Sequence, residues 1–417
     1  MLTSITDIVL SILYTVTLFY TIFWLITLLE EKPDKKVRLK KYPFVTVAIP
    51  AYNEEETIEE TIDSVKNLSY PKNKFEIIVI NDGSTDKTRQ ITERYIQINQ
   101  TVDIKLINQK NSGKWAAINK ALEKAKGEFF ICLDADSIVE KEALDKMLPY
   151  FCEERIGAVL PLLKIKDTKN LLQKLQWYEY LVNMFYKKLL SHLNCIHVTP
   201  GPFALYRTDV IKKLGGFRPG HKTEDLEMAM RLQKNYYKII QLLDVEVYTY
   251  PPDDIKKLYQ QRKRWNKGSV LNIWDYKKML FKKKYGDFGM FQLPLVLSAG
   301  FIALFIVLFI LYQNLFKPIL RALQNLALVN FDILTFIKNF KIDFIFLDVN
   351  YYRLVIMFVM FSVSILVLII AHRYTKERIA KQGIWSLVAF LFLYYIFIGI
   401  VWGGIAKDLI LRKKERW

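Results

Sequence analysis

The chain has 417 residues, 60 Lys and Arg against 42 Asp and Glu for a formal charge of +18, 52% hydrophobic residues and three cysteines. That apolar content excludes a disordered or collagen-like chain, and so few cysteines exclude a disulfide scaffold. Aromatic residues at 14% beside charged residues at 24% point to segregation, part of the chain in lipid and part in water. The basic excess suits a membrane surface, nucleic acid or a polyanionic small substrate.

In chain order, Ile5 to Leu29 carries Asp7 and is otherwise uncharged, ample for a hydrocarbon core of ~30 Å. MLTSITDIVL has no Lys or Arg ahead of the apolar run, so an uncleaved anchor over 1–30 is expected rather than a signal peptide. A basic linker over 31–43 follows, with Lys32, Lys35, Lys36, Arg38, Lys40 and Lys41. The positive-inside rule places it, and the domain after it, in the cytoplasm.

Residues 44–250 read as a soluble α/β domain. Val45–Pro50, Glu76–Asp82, Ile104–Asn108 and Phe129–Asp134 are β-branched runs bounded by turn residues, which predicts buried strands. Between the first two, Asn53 caps a helix with Glu56 reaching back, and Ile58, Ile62 and Val65 share a face. Strand–helix–strand alternation implies a Rossmann-like, mostly parallel sheet, in which ligands bind beyond the carboxyl ends of the strands. Polar residues gather there: Tyr52-Asn53-Glu54, Asp82-Gly83-Ser84 and Asp134-Ala135-Asp136. Tyr52 and Glu54 are accordingly substrate-binding candidates.

Asp134 and Asp136 alternate at a strand end, so both carboxylates can face one site. As hard oxygen ligands they suit Mg²⁺ or Mn²⁺ bridging to a phosphate-bearing substrate. Asp82-Gly83-Ser84 reads equally as a turn with Ser84 capping the next helix and as a place where Asp82 accepts hydrogen bonds from a nucleotide base or ribose. Asn111-Ser112-Gly113-Lys114 is not a Walker loop, because Gly is absent at 108 and Trp115 replaces Ser or Thr. Lys114 is left as a phosphate contact or a solvated lysine. Thr223-Glu224-Asp225 opens an apolar-periodic helix, with Thr223 as cap and the acids in the first turn. Functionally Glu224 and Asp225 are the catalytic candidates, Asp225 as general base, against the pull of a helix N-terminus that lowers a carboxylate pKa.

Residues 251–290 read as interfacial helices. Gln261, Arg264 and Trp265 share a helical face, offering a guanidinium for phosphate oxygens and an indole plane for a sugar ring. His221 is a weak candidate as a third metal ligand, and Cys132, Cys152 and Cys195 are expected reduced. Over 291–417 about three spans are expected, Phe291–Tyr312, Leu354–Ala371 and Ile384–Ala406, with an amphipathic or re-entrant stretch at Leu315–Phe346. With four spans in all, the basic loop Arg373–Lys381 is cytoplasmic but the basic tail Arg412–Arg416 falls outside. A fifth span reverses the pair, so either count strands one cluster against the positive-inside rule.

Asp82, Asp134-Ala135-Asp136, Thr223-Glu224-Asp225 and Gln261-Arg262-Lys263-Arg264-Trp265, in that order and between membrane helices, make the chain resemble the membrane-embedded branch of glycosyltransferase family 2. That branch includes cellulose, hyaluronan, chitin and poly-N-acetylglucosamine synthases, and its pattern is D, DxD, TED and QxxRW. The resemblance covers Phe44 to Trp265 by motif and the flanking helices by topology. It implies a GT-A fold and an inverting hexosyl transfer from a nucleotide-diphosphate sugar, UDP-GlcNAc or UDP-glucose. Tyr52 and Asp82 would hold the nucleotide, Asp134 and Asp136 the sugar-diphosphate and its divalent metal, and Asp225 would deprotonate the acceptor. Gln261, Arg264 and Trp265 would cap the diphosphate and seat the acceptor, with Gly201 of Thr199-Pro200-Gly201-Pro202-Phe203 in a loop beside it.

One span before the domain and three after it resembles chitin-oligosaccharide and poly-N-acetylglucosamine synthases, and also ceramide glucosyltransferases. The acceptor is therefore a growing polysaccharide or, alternatively, a lipid. A catalytically dead nucleotide-sugar-binding subunit is the reading from another class, and the intact carboxylates speak against it. Membrane lipids are expected partners, because the basic residues lie beside the membrane segments, and nucleic acid is not. The expected location is a multi-pass place in the cell membrane with the catalytic domain cytoplasmic.

Overall fold

The computed structural model describes residues 5–29, 41–328 and 351–411. Most of the basic linker, the part of the Leu315–Phe346 stretch beyond residue 328, and the last six residues lie outside the described residues. The soluble domain is built on one eight-stranded sheet in the order β3-β2-β1-β4-β7-β6-β8-β5. The strands are β1 Val45–Ala51, β2 Phe75–Asp82, β3 Asp103–Gln109, β4 Phe129–Cys132, β5 Ser137–Val139, β6 Ile156–Ile165, β7 Ala204–Arg207 and β8 Lys238–Thr249.

The first four correspond to the strands read from the sequence, and they pair in parallel as β3-β2-β1-β4. The other half is mixed. β7 runs antiparallel to β4 and β6, β5 antiparallel to β8, and β6 parallel to β8. Alternation along each strand divides the core between the two faces. Val47, Ile49, Ile77 and Val79 pack with Ile58, Ile62 and Val65 on one side. Ala48, Ile78 and Ile80 pack with Ala117, Ile118 and Met228 on the other. Helices Ile58–Lys66 and Lys114–Lys124 thus cover opposite faces and leave the strand ends open between them.

Two caps expected in this half are corrected. Asn53 does not cap the Ile58–Lys66 helix; it sits at φ 56° and its Oδ1 accepts from the Thr85 N–H at 2.8 Å. Ser84 does not cap the Thr88–Ile98 helix, because its hydroxyl accepts from the Asn53 N–H at 3.1 Å while Asp86 takes the Thr88 N–H at 3.0 Å. In both places two neighbouring strand-end loops bind each other instead of their own helices, which closes the gap between β1 and β2.

Among the described residues two helices, Phe288–Phe309 and Ile384–Ile410, are long and apolar enough to cross a membrane, and Tyr14–Leu29 and Phe361–Tyr374 are shorter apolar stretches. The first helix, Ile5–Leu29, packs Phe23 on Phe291 at 4.2 Å between ring centroids and Trp24 on Tyr186 at 5.4 Å. The Tyr351–Tyr374 helix ends against the Leu171–His192 helix, with Tyr374 on Phe185 at 5.5 Å.

Candidate active site

The loops after β1, β2 and β4 meet at one end of the sheet. Asp82 closes β2 and is only 4% exposed. Its carboxylate accepts from the Ser112 and Gly113 N–H groups, both at 2.9 Å, and from Gln109 Nε2 at 2.7 Å. In this state it pins the loop that leads into the Lys114–Lys124 helix, so its direct effect is to place Lys114. Gly113 at φ 89° supplies the left-handed turn at that helix start, a conformation glycine adopts without Cβ strain.

Lys114 is half-buried and paired with acids rather than free at the surface. Its ammonium pairs with Asp134 and lies 3.4 Å from Glu224 Oε1. Desolvation works against its charge, but Asp134 and Glu224 outweigh that and hold it well above the usual lysine range. Gly201 rests on this pair: a Cβ there would stand 2.5 Å from Lys114 Nζ and 2.7 Å from Asp134 Oδ1. A side chain there would have to displace the ends of both groups, which is the physical reason glycine suits 201.

Asp136 lies two residues beyond Asp134 with Ser137 Oγ donating to it at 3.0 Å. Burial, then the negative charges of Asp134 and Glu54, push its carboxyl up to about 7. Glu54 is raised as well, by burial first, although the Thr57 hydroxyl donates to it at 2.9 Å. Tyr52 is exposed at the rim. Three carboxylates face one another here with Lys114 as their cation.

The Thr223-Glu224-Asp225 segment enters from the other side. Thr223, a third expected cap, does not cap the Glu224–Lys234 helix; its hydroxyl donates to Gly220 O at 2.6 Å and accepts from Asn272 Nδ2 at 2.9 Å. Asp225 O accepts from the Thr199 hydroxyl at 2.7 Å, which ties this segment to the Gly201 loop. Burial and the adjacent Glu224 charge push the Asp225 carboxyl up to about 6, while Lys114, the Leu226 N–H and Arg264 pull it back. The helix N-terminus, expected to lower it, is thus outweighed. A carboxylate near 6 is suited to accept a proton at neutral pH. Lys187 is held down to about 8 by burial, with Asp225 as its partial counter-charge.

The Ile255–Asp275 helix lies across the opening. Gly268 lets it approach the Thr223 turn, since a Cβ would fall 2.5 Å from Thr223 Oγ1. Arg264 is exposed and donates to Lys222 O at 3.1 Å. The buried cation of the motif is Arg262, which motif spacing alone does not single out. It is 2% exposed, pairs with Glu179, donates to Gln261 and stacks 4.4 Å from the Trp265 ring centroid. Glu179 is 83 positions away in sequence, so no local pattern announces the pair. Gln261 and Trp265 are therefore oriented by Arg262.

Asp134 and Asp136 fit a divalent cation: their oxygens are hard ligands, and like charge crowds them enough to raise one of the two carboxyls. His221 does not join them, since its Nε2 lies 2.8 Å from Asp275 Oδ2. It lines a cavity of about 1120 Å³ with Arg218, Lys222 and Asn272. Cys132, Cys152 and Cys195 are free thiols.

Residues 46–215 match the family described as Glycosyl transferase family 2. A poly-beta-1,6-N-acetyl-D-glucosamine synthase of Staphylococcus epidermidis is 30% identical over 264 residues, 60% of this chain and 63% of that protein. The synthase of the same name from Staphylococcus aureus (strain COL) is 30% identical over 243 residues, 58% of this chain and 57% of that one. The chain thus spans less than two thirds of the curated relatives it matches. A mannosyltransferase structure from Pyrobaculum calidifontis, in complex with GDP-Man and Mn2+, superposes with TM-score 0.57 at 23% identity, covering 72% of this chain and 85% of that one. The family match is confined to residues 46–215, and the architecture is a GT-A fold joined to a helical region.

Proposed function

We propose that the chain is an inverting membrane glycosyltransferase that moves a sugar from a nucleotide-diphosphate donor to a hydroxyl of a growing polysaccharide. UDP-GlcNAc is the first donor to test, because the relatives are named as poly-N-acetylglucosamine synthases. The observation that carries the reading is the convergence on Lys114, which joins Asp134 of the β4 end to Glu224 beside Asp225. The domain faces the cytoplasm, carried by several spans.

In this reading the acceptor oxygen attacks the anomeric carbon as its proton passes to Asp225. The bond from that carbon to the diphosphate oxygen breaks, and its electron pair leaves with the nucleotide diphosphate. Asp134 and Asp136 would hold the divalent metal, which when bound offsets charge on the leaving diphosphate. Lys114 and Arg264 supply fixed positive charge on the same side. Tyr52 and Glu54 line the donor entry, Asp82 orders the loop that carries Lys114, and Trp265 offers an indole plane to the acceptor. Arg262 is a positioning residue, since it acts through Gln261 and Trp265.

The test is purified protein in detergent or lipid, given radiolabelled UDP-sugars with Mg²⁺ or Mn²⁺. A labelled long chain with UDP-GlcNAc is expected. Label confined to a lipid extract would move the acceptor to a lipid, and absence of transfer from every nucleotide sugar would overturn the reading.

A further inference from the structure

The Ile384–Ile410 helix has the length and hydropathy of a span, yet it touches the catalytic domain, or the helix packed against it, from end to end. Just before its first turn, Thr168 Oγ1 donates to Gln382 Oε1 at 2.7 Å and the Tyr178 hydroxyl donates to Ile379 O at 2.9 Å. At its last turn Asp408 pairs with Lys263 at 2.8 Å and with Lys267 at 3.5 Å. Thr168 follows β6, and Lys263 and Lys267 belong to the Ile255–Asp275 helix that lies across the site.

Between these tethers the contact is continuous. Phe390 stacks on Tyr178 at 5.5 Å, and Val401, Trp402 and Ile405 pack with Val270 and Tyr259. A Cβ on Gly404 would fall 1.9 Å from the Tyr259 hydroxyl, so glycine permits this approach. Tyr394, near the middle, faces the Glu179–Arg262 pair that orients Trp265.

A helix of 27 residues measures about 40 Å at ~1.5 Å per residue. If it crossed a core of ~30 Å, its far end would leave the cytoplasmic domain behind. Instead one end meets Thr168 and Tyr178 of that domain, and the other meets the Ile255–Asp275 helix packed against it. The face turned away is apolar and open: Trp385 is 82% exposed, and Phe392, Leu393, Ile396 and Ile400 are also exposed.

We infer that the Ile384–Ile410 helix lies in the plane of the cytoplasmic leaflet, its outer face in lipid and its inner face flooring the catalytic domain, with the chain beyond Leu411 in the cytoplasm. The topology conflict then disappears. The basic loop Arg373–Lys381 and the basic tail Arg412–Arg416 stand on the same side, as the positive-inside rule asks. Apolar residues on one face and basic residues at both ends are also what an in-plane helix on an anionic surface requires. The inference does not depend on the transfer reaction.

Variants with one added cysteine in a Cys152→Ser background, where the remaining Cys132 and Cys195 are buried, test it in bacterial cells. With a membrane-impermeant maleimide, Leu411→Cys is expected to label only after permeabilisation, alongside Lys376→Cys. Labelling of Leu411→Cys in intact cells would overturn the placement. A fusion at Trp417 gives a readout without cysteine variants: fluorescence of a green fluorescent protein is expected, and activity of alkaline phosphatase would overturn it. Depth is read from a bimane on Ile396→Cys in vesicles. Nitroxide near the lipid headgroup is expected to quench it more than nitroxide near the chain ends, and the reverse order would restore a span.

Discussion

The side of the cleft that carries Asp134 and Asp136 is made from residues next to strand ends. The side that carries Asp225 is held by contacts between distant segments. On the first, the chain leaves β1, β2 and β4 and the functional groups follow within a few residues, so strand geometry alone aims them. On the second, Thr223 is gripped by Gly220 and Asn272, and Asp225 O by Thr199. Trp265 is set by an Arg262–Glu179 pair reaching between two helices. The electrostatics differ in the same way. Asp136 is raised by burial and by acids near it in the site, with the Ser137 hydroxyl and Lys114 in partial relief. Asp225 is raised by burial and Glu224 but relieved by Lys114, Leu226 N–H and Arg264. Strand ends suffice to gather charge; tuning the Asp225 carboxyl takes neighbours from several elements.

That contrast makes the Asp225 side the more sensitive to single changes in chemistry. Asp225→Asn keeps the shape and removes the proton acceptor, so turnover should fall by about 10³-fold while titration calorimetry finds nucleotide affinity within about twofold. Turnover near wild type would remove Asp225 from the role.

Arg262→Met should cost about 3–5 kcal/mol of stability, because Glu179 is left as an uncompensated, largely buried charge. Thermal unfolding in detergent measures it, and adding Glu179→Gln should recover much of the loss. A single variant as stable as wild type would show that the two helices need no such pair.

On the Asp134 side the change is steric. Gly201→Ala places a Cβ against both partners of the Lys114–Asp134 pair, and the displacement should lower kcat/KM by about 10²-fold with the unfolding temperature little changed. Retained activity would mean that the pair can move without consequence.

The pH profile separates the two sides further. In the proposed role Asp225 acts deprotonated, and its carboxyl is pushed up to about 6, so kcat/KM should fall about tenfold per pH unit below that value. Lys114→Met removes a cation that lowers this pKa, and the acid limb should move to higher pH. A limb that stays in place would detach Lys114 from Asp225. The smallest expected effect is Asn272→Ala, about 1–2 kcal/mol for hydrogen bonds lost at Thr223 and Gly220, read as a loss in stability with a modest loss in turnover.

Much of this site is legible in the order of residues along the chain. The four parallel strands, the strand-end acids and the helix opened by Glu224 follow from period and turn chemistry, because short-range sterics and burial determine them. Caps are less legible: Asn53, Ser84 and Thr223 each have the residue type of a cap, yet Asn53 and Ser84 bond across to each other's loops and Thr223 bonds to Gly220 of its own turn and to Asn272 of a later helix. Propensity sees one segment at a time, and a side chain with a better partner across the cleft takes it.

The amino-acid sequence alone marked the candidate site residues, the apolar stretches and the α/β character of the part between them. Only tertiary structure decided that Arg262 rather than Arg264 is the buried cation, that Lys114 belongs to the acids, that Asp225 is raised rather than lowered, and that one end of the Ile384–Ile410 helix meets the domain and the other the helix packed against it. The reason is physical. Local pattern reports what each segment buries, whereas charge, close approach and orientation depend on which distant segments share the space.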